Sequence, residues 1–100
     1  MATIHSIELI VSDPKIRKGK PVMTGTTIRV MDIATVKVFH QKEADEIADW
    51  FDISLPEVYA ALSYYYTHKV EVDQDIRNEQ QLAEQFKEQR VGSRHSALLG

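Results

Sequence analysis

Alternating apolar and polar positions near the start of the chain predict a short strand. Residues 7–11 alternate in this way, and the alternation stops at Asp13-Pro14, a pair typical of turns. Residues 21–30 are rich in β-branched side chains around Thr24-Gly25, which predicts extended chain with a turn. Neither piece is long enough to form a sheet alone. We therefore expect a small β element over residues 1–30, which a second copy of the chain would complete.

After residue 31 the apolar positions recur every three or four residues, which predicts helices. Ser54 and Glu57 occupy the two ends of a capping box, and Pro56 is tolerated in a first helical turn. The tail, residues 92–100, has weak structure signals. The predicted helices span residues 32–41, 43–51, 54–68 and 75–90.

The first predicted helix is apolar on most sides. Ile33, Val36 and His40 lie on one stripe. A helix of this kind must be covered on most sides, so in a short chain we expect one stripe to meet the core and the other to meet a partner or a second subunit. The residues predicted for a dimer interface are Met31, Val38 and Phe39.

Residues 46–58 have the spacing of a helix-turn-helix. Ala48 is the small residue where the two helices cross, and Asp52 stands where glycine is preferred for a left-handed backbone. Apolar residues expected to fix the turn and the second helix are Ile47, Phe51, Ile53 and Val58. Three interpretations stay open: a three-helix scaffold that only packs, a second helix that reads the DNA major groove, and DNA contact through a basic segment elsewhere.

Charge is segregated along the chain. Residues 1–42 carry seven basic and three acidic side chains, whereas residues 43–68 carry six acidic side chains and no lysine or arginine. An anionic partner is therefore expected at the first part and repelled by the middle. The alternative for the basic segment is a solvated turn that keeps a strand edge soluble. The residues predicted to contact DNA phosphates are Lys15, Arg17, Lys18, Lys20 and Arg29.

Composition argues against catalysis and against a membrane span. One hundred residues with 43% hydrophobic side chains suit one soluble domain, and no apolar run approaches the ~18 residues of a transmembrane helix. Cysteine is absent, the four histidines lack metal-ligand spacing, and no phosphate-binding loop is present. The sequence predicts a cytoplasmic protein that is not an enzyme and holds no metal or cofactor.

Two blocks of the sequence resemble the domain-of-unknown-function 433 family of bacteria. The first block is a Ser-Asp-Pro start followed by Gly-Lys-Pro-Val and Gly-Thr, and the second comprises an acidic helix start and an alanine- and tyrosine-rich helix. Thr27 departs from the family pattern, which has arginine after Gly-Thr. The matching residues are Ser12, Asp13, Pro14, Gly19, Lys20, Pro21, Val22, Gly25, Thr26, Ile28, Val30, Glu46, Ile47, Val58, Ala60, Ala61, Leu62, Tyr64 and Tyr65.

This resemblance implies a trihelical, homeodomain-like core, a homodimer, and an antitoxin that neutralises a PIN-like nuclease toxin. It leads us to expect a mainly α domain over residues 1–91, with the β element (1–30), a three-helix core (31–68), a C-terminal amphipathic helix (73–91) and a flexible tail (92–100). Operator DNA is a further expected partner, for autoregulation. The alternatives are a stand-alone helix-turn-helix regulator and a dimeric interaction module without a toxin. The residues predicted to contact the partner are Ile76, Leu82, Phe86 and Tyr64.

Overall fold

A computed structural model of the chain describes residue 2 and residues 8–99, with side chains described up to residue 88. The described residues form a mainly helical protein with a small β element near the N-terminus. The chain divides into two units, Met1–Lys69 and Val70–Gly100. The elements are β1 (Ile10–Val11), β2 (Val22–Met23), α1 (Val30–Phe39), α2 (Ala44–Phe51), α3 (Leu55–Thr67) and α4 (Lys69–Leu99).

The β element is an antiparallel pair in which Ile10 lies opposite Met23. The predicted turn at Thr24-Gly25 is confirmed, because the Thr26 N–H donates to the Met23 carbonyl over 3.0 Å and Gly25 has φ 79°, which a glycine adopts without strain. The chain then returns along β2, where the Met23 N–H donates to the Ile28 carbonyl over 2.8 Å. The alternating segment predicted over residues 7–11 is described from residue 8 onward, and residue 7 lies outside the described residues.

The loop between the two strands contains a turn that the sequence does not predict. Arg17–Gly19 form a short 3-10 turn in which all three residues have positive φ, at 47°, 58° and 81°. This left-handed conformation is easy for Gly19 but costs roughly 1–2 kcal/mol at each of Arg17 and Lys18. Surrounding contacts must offset that cost.

Helices α1, α2 and α3 form the predicted three-helix core, with α1 and α2 both packed on α3. The buried positions of α3 follow a helical repeat at Val58, Ala61, Leu62 and Tyr65. This buried face is narrow. Tyr59 and Tyr66 are 59% and 58% exposed, because each lies about 100° around the helix from Val58 or Tyr65. The other fully buried large side chains are Met23, Val22, Val30, Ile33 and Ile47.

Helix α4 is longer than the predicted helix over residues 75–90. It begins at Lys69, separated from α3 by His68 alone, and is described to Leu99, across the segment predicted as a tail. Val72 and Ile76, one turn apart, are its buried side chains among those described. Residues 69–75 contain two apolar side chains, Val70 and Val72, and so weak a periodic signal does not reveal the earlier start of the helix.

Candidate functional site: a groove beside strand β1 and a basic loop

A groove of about 640 Å³ lies between β1 and one side of α3. Its surface is mostly apolar, and tyrosine, serine and threonine side chains add a few hydroxyl groups to it. A mixed surface of this kind suits an apolar ligand that also makes a few hydrogen bonds. The residues that line it include Leu9, Ile10, Pro56, Tyr59, Ser63 and Thr67.

The start of α3, which forms one wall of the groove, is fixed by a complete capping box. The Ser54 hydroxyl oxygen accepts a hydrogen bond from the Glu57 N–H over 3.3 Å, and the Ser54 N–H donates to the Glu57 carboxylate over 3.0 Å. The Ser54 hydroxyl also donates to that carboxylate over 2.8 Å. Reciprocal capping satisfies backbone groups that a helix start leaves unpaired, so the sequence-predicted cap positions the groove wall.

The exposed side of α3, where a helix-turn-helix would read DNA, is apolar and acidic. Leu55 and Tyr59 are 43% and 59% exposed. Glu57 holds the capping box, and no lysine or arginine occurs in residues 43–68. Base edges are read by arginine, lysine, asparagine or glutamine, and phosphates require positive charge. This side of α3 therefore suits a protein partner better than DNA.

Tyr64, a predicted partner contact, is half-buried at the edge of the groove. Its ring stacks on the His68 ring, with centroids 4.0 Å apart and planes 13° from parallel. The Thr67 hydroxyl lies 2.9 Å from His68 Nδ1 and 2.9 Å from the Tyr64 carbonyl oxygen. These contacts hold the far end of the groove in place, so Tyr64 is positioned by the end of α3.

The remaining predicted partner contacts, on α4, differ in exposure. Leu82 and Phe86 are 53% and 59% exposed, whereas Ile76 is 4% exposed and already part of a buried surface. An anchor for a second protein must lie at the surface before binding. Leu82 and Phe86 meet that condition, and Ile76 offers little area.

The three residues predicted for a dimer interface also differ in exposure. Val38 and Phe39 are 44% and 56% exposed at the end of α1. Met31 is 7% exposed and belongs to the buried side of the same helix. Close to Phe39, the His40 ring lies 5.6 Å from the ring of Trp50, which is 54% exposed. The end of α1 and the end of α2 thus share an exposed aromatic surface.

Two of the five predicted phosphate contacts converge on one carboxylate. Arg29 donates from Nη2 to Asp32 Oδ1 over 2.7 Å, and its own N–H donates to Asp32 Oδ2 over 2.9 Å at the start of α1. Arg17 Nη1 lies 3.8 Å from Asp32 Oδ2 and donates to the Thr27 carbonyl oxygen over 2.9 Å. Both guanidinium groups therefore anchor the loop to α1, a structural role that leaves less of their charge for DNA.

The lysines of the loop are placed differently. Lys15 and Lys18 are exposed, and Lys20 is half-buried. The Lys15 N–H donates to the Asp13 carboxylate over 2.9 Å, which tightens the turn after β1. Arg17 is 39% exposed and lies between the two exposed lysines in sequence. We define the basic loop as residues 15–20, and its outer side is formed by Lys15 and Lys18.

Over the residues that the structure describes, no group of three or more histidine, cysteine or acidic side chains is arranged to hold a metal ion. In the same part of the chain, no helix combines the length and apolarity that crossing a membrane requires. The groove was missed by sequence reasoning. Leu9 and Tyr59 are distant in sequence, and the local signals for a strand and for a helix carry no information on the space between them.

The family model described as "Protein of unknown function (DUF433)" matches residues 10–65. The chain belongs to the DUF433 family. The matched DUF433 region begins at β1 and ends within α3, so it contains the basic loop and most of the groove, whose lining residues Leu9 and Thr67 lie just outside the match. No curated protein and no solved structure matches the chain significantly. Because the function of the DUF433 family is unknown, membership does not assign an activity to this chain. A proposed function must therefore be argued from the geometry of the groove and of the basic loop.

Proposed function

We propose that this DUF433 chain is a cytoplasmic antitoxin that binds and neutralises a partner protein, a PIN-like nuclease toxin, without catalysing a reaction itself. The observation that supports this proposal is the exposed side of α3. It presents Leu55 and Tyr59 beside a groove of about 640 Å³ and carries no positive charge. Large apolar side chains that remain exposed around a concave surface are typical of protein-binding sites.

Charge supports the same proposal. Toxin nucleases act on nucleic acid, so the surface that binds their substrate must be positive. The acidic segment of residues 43–68, with six carboxylates and no basic side chain, is complementary to such a surface. Complementary charge raises the rate of association and disfavours partners of the wrong sign. An acidic protein is thus suited to cover the substrate-binding surface of a nuclease.

The test is co-expression with the protein encoded by the adjacent reading frame. We expect the tagged chain to retain the partner on an affinity column at moderate salt, and to restore growth to cells that the partner alone inhibits. Expression of the tag without the chain is the control. If the chain retains no neighbouring gene product and restores no growth, the antitoxin proposal fails.

A second role is proposed for the basic loop: contact with operator phosphates, by which the antitoxin regulates its own gene. Arg17 and Lys18 hold left-handed conformations, at φ 47° and 58°, which cost free energy. Backbone strain of this kind is concentrated at functional positions, where surrounding contacts maintain it. Here the strained residues are basic, and the anchors on Asp32 fix their loop. A stand-alone regulator that reads bases through α3 has no such support.

A further inference from the structure

The outer edge of β1 has backbone groups oriented for another strand. The Met23 N–H donates to Ile28 and the Leu9 carbonyl oxygen accepts from the Thr24 N–H, over 2.8 and 2.9 Å. Ile10 therefore belongs to an antiparallel pair that exchanges no hydrogen bonds with β2. In such a pair, the N–H and C=O of Ile10 point away from β2, to the outer edge of the sheet. An edge of this kind is a template for an added strand.

The groove beside that edge has the dimensions of an extended segment. Along α3 its lining runs from Pro56 to Thr67. Eleven helical steps of 1.5 Å span about 16 Å, which is the length of about five residues of extended chain. Alternate side chains of an added strand would point into the groove, where Tyr59 offers an apolar ring and Ser63 a hydroxyl group.

The charges around the groove define the occupant further. Glu8 is exposed two residues before β1, and Glu57 directly follows Pro56, which lines the opposite wall. No lysine or arginine lies in residues 43–68, nor among residues 8–14 that precede the basic loop. A segment with lysine or arginine at its ends therefore meets complementary charge beside both walls.

We propose that β1 and α3 form a docking groove for an extended segment of the partner protein. This segment is apolar at alternate positions, is flanked by lysine or arginine, and adds to the outer edge of β1 as an antiparallel strand. The inference rests on the proposed function, since it names the site and the chemistry by which the antitoxin holds its partner. Backbone pairing with Ile10 supplies affinity, and the groove selects the alternate side chains.

A second copy of this chain is a poorer occupant of the same groove. Its own β1 segment is flanked by Glu8 and Asp13, so it would bring two carboxylates to a groove that already has a carboxylate beside each wall. Like charges that are placed opposite each other across strands are destabilising. The partner segment has basic ends, which would instead be attracted to the carboxylates beside the groove.

The test uses the full chain and a probe peptide that carries fluorescein on its N-terminus, fluorescein-Arg-Thr-Val-Thr-Val-Thr-Arg-amide. One control peptide has glutamate in place of both arginines, and another has proline in place of the central threonine, which removes a backbone donor. We expect the probe to shift and protect the Ile10 amide in NMR spectra. We expect both controls to bind at least tenfold more weakly, as measured by fluorescence anisotropy.

Two pairs of variants locate the site. Tyr59→Ala removes a groove side chain, and Tyr66→Ala is its matched control, because Tyr66 is equally exposed on α3 but does not line the groove. We expect at least tenfold weaker probe binding for Y59A and no change for Y66A. Ser63→Arg, on the exposed side of the helix, adds a bulky positive charge inside the groove and should abolish binding, while Ser63→Ala removes only the hydroxyl group and should weaken binding less than Tyr59→Ala does. Thermal unfolding of each variant verifies the fold.

The outcomes are distinct. Equal binding of the three peptides, or equal affinity of Y59A and the unchanged chain, overturns the groove proposal. A concentration-dependent dimer that Y59A disrupts would assign the groove to a second copy and likewise overturn it. If the co-expressed partner is retained by the unchanged chain and by S63R alike, the antitoxin function stands and this site is wrong. If no partner is retained, the function fails, and the peptide measurements alone decide the groove.

Discussion

At the scale of single residues, Asp52 carries the conformational cost of the turn between α2 and α3. Its φ and ψ of 55° and 51° are left-handed, and its N–H donates to the Ala48 carbonyl oxygen at the end of α2. The Ile53 N–H donates to the same carbonyl oxygen over 3.0 Å. Glycine is the usual residue at this position because it has no Cβ to clash. Asp52 also places a negative charge at the negative end of the helix dipole.

Replacing Asp52 with glycine is therefore expected to stabilise the protein. Asp52→Gly removes both the Cβ strain and the unfavourable charge, so the free energy of unfolding should rise by about 1 kcal/mol. Urea unfolding followed by circular dichroism measures it. Asp52→Ala is the matched control, because it removes the same charge and keeps a Cβ. If both variants have the same stability, the left-handed strain at this residue is not what limits the turn.

At the scale of elements, the capping box of α3 connects stability to the site. Ser54→Ala removes the hydroxyl oxygen that accepts the Glu57 N–H, and we expect it to lower the free energy of unfolding by about 1 kcal/mol. Because the same cap fixes the groove wall, probe peptide binding should weaken as well. Ser63→Ala, at an exposed position inside α3, is the control and should change stability by less than ~0.5 kcal/mol. A fully stable S54A variant would contradict the structural role of the cap.

Helix boundaries that depend on local chemistry are predictable from this sequence. The sequence predicts α3 over residues 54–68, and the structure has Leu55–Thr67, because Ser54, Pro56 and Glu57 mark its start by side-chain chemistry alone. The predicted first helix is displaced by two residues from Val30–Phe39. Its start is set by the Arg29 N–H bonding to Asp32, and an arginine at that position is no standard cap signal.

The candidate site was less predictable, since it depends on tertiary geometry. The left-handed turn at Arg17 and Lys18 breaks the local rule that glycine fills such positions, and only Gly19 obeys it. The roles of Arg17 and Arg29 as anchors require that both lie near Asp32 in three dimensions. The groove requires the register of β1 on β2. None of these spatial relations can be inferred from the sequence pattern of a single helix or strand.

At the scale of the whole molecule, the chain separates two electrostatic surfaces. The basic loop, residues 15–20, exposes Lys15 and Lys18, while α2 and the start of α3 carry carboxylates. Two other lysines are near acidic residues: Lys37 Nζ lies 4.0 Å from Glu43 Oε2, and Lys42 Nζ lies 3.7 Å from Glu46 Oε2. Their charge is locally offset. A polyanion is therefore expected to meet the chain at the basic loop.

This separation predicts which lysines matter for DNA retention. The double variant Lys15→Ala and Lys18→Ala removes the two exposed lysine charges of the basic loop and leaves the anchors on Asp32 in place. We expect it to abolish the mobility shift of operator DNA at physiological salt. If each lysine contacts one phosphate, the slope of log affinity against log salt should fall by about two. Mobility shifts across a salt series measure both effects.

The matched control is the double variant Lys37→Ala and Lys42→Ala, which makes the same change in net charge. Because those two lysines are offset by Glu43 and Glu46, DNA retention should change little. Equal losses in the two double variants would mean that DNA responds to net charge alone. Retention that survives the loss of Lys15 and Lys18 would move the phosphate site away from the loop. The strained turn at Arg17 and Lys18 would then need a different explanation, because another contact would have to offset its free-energy cost.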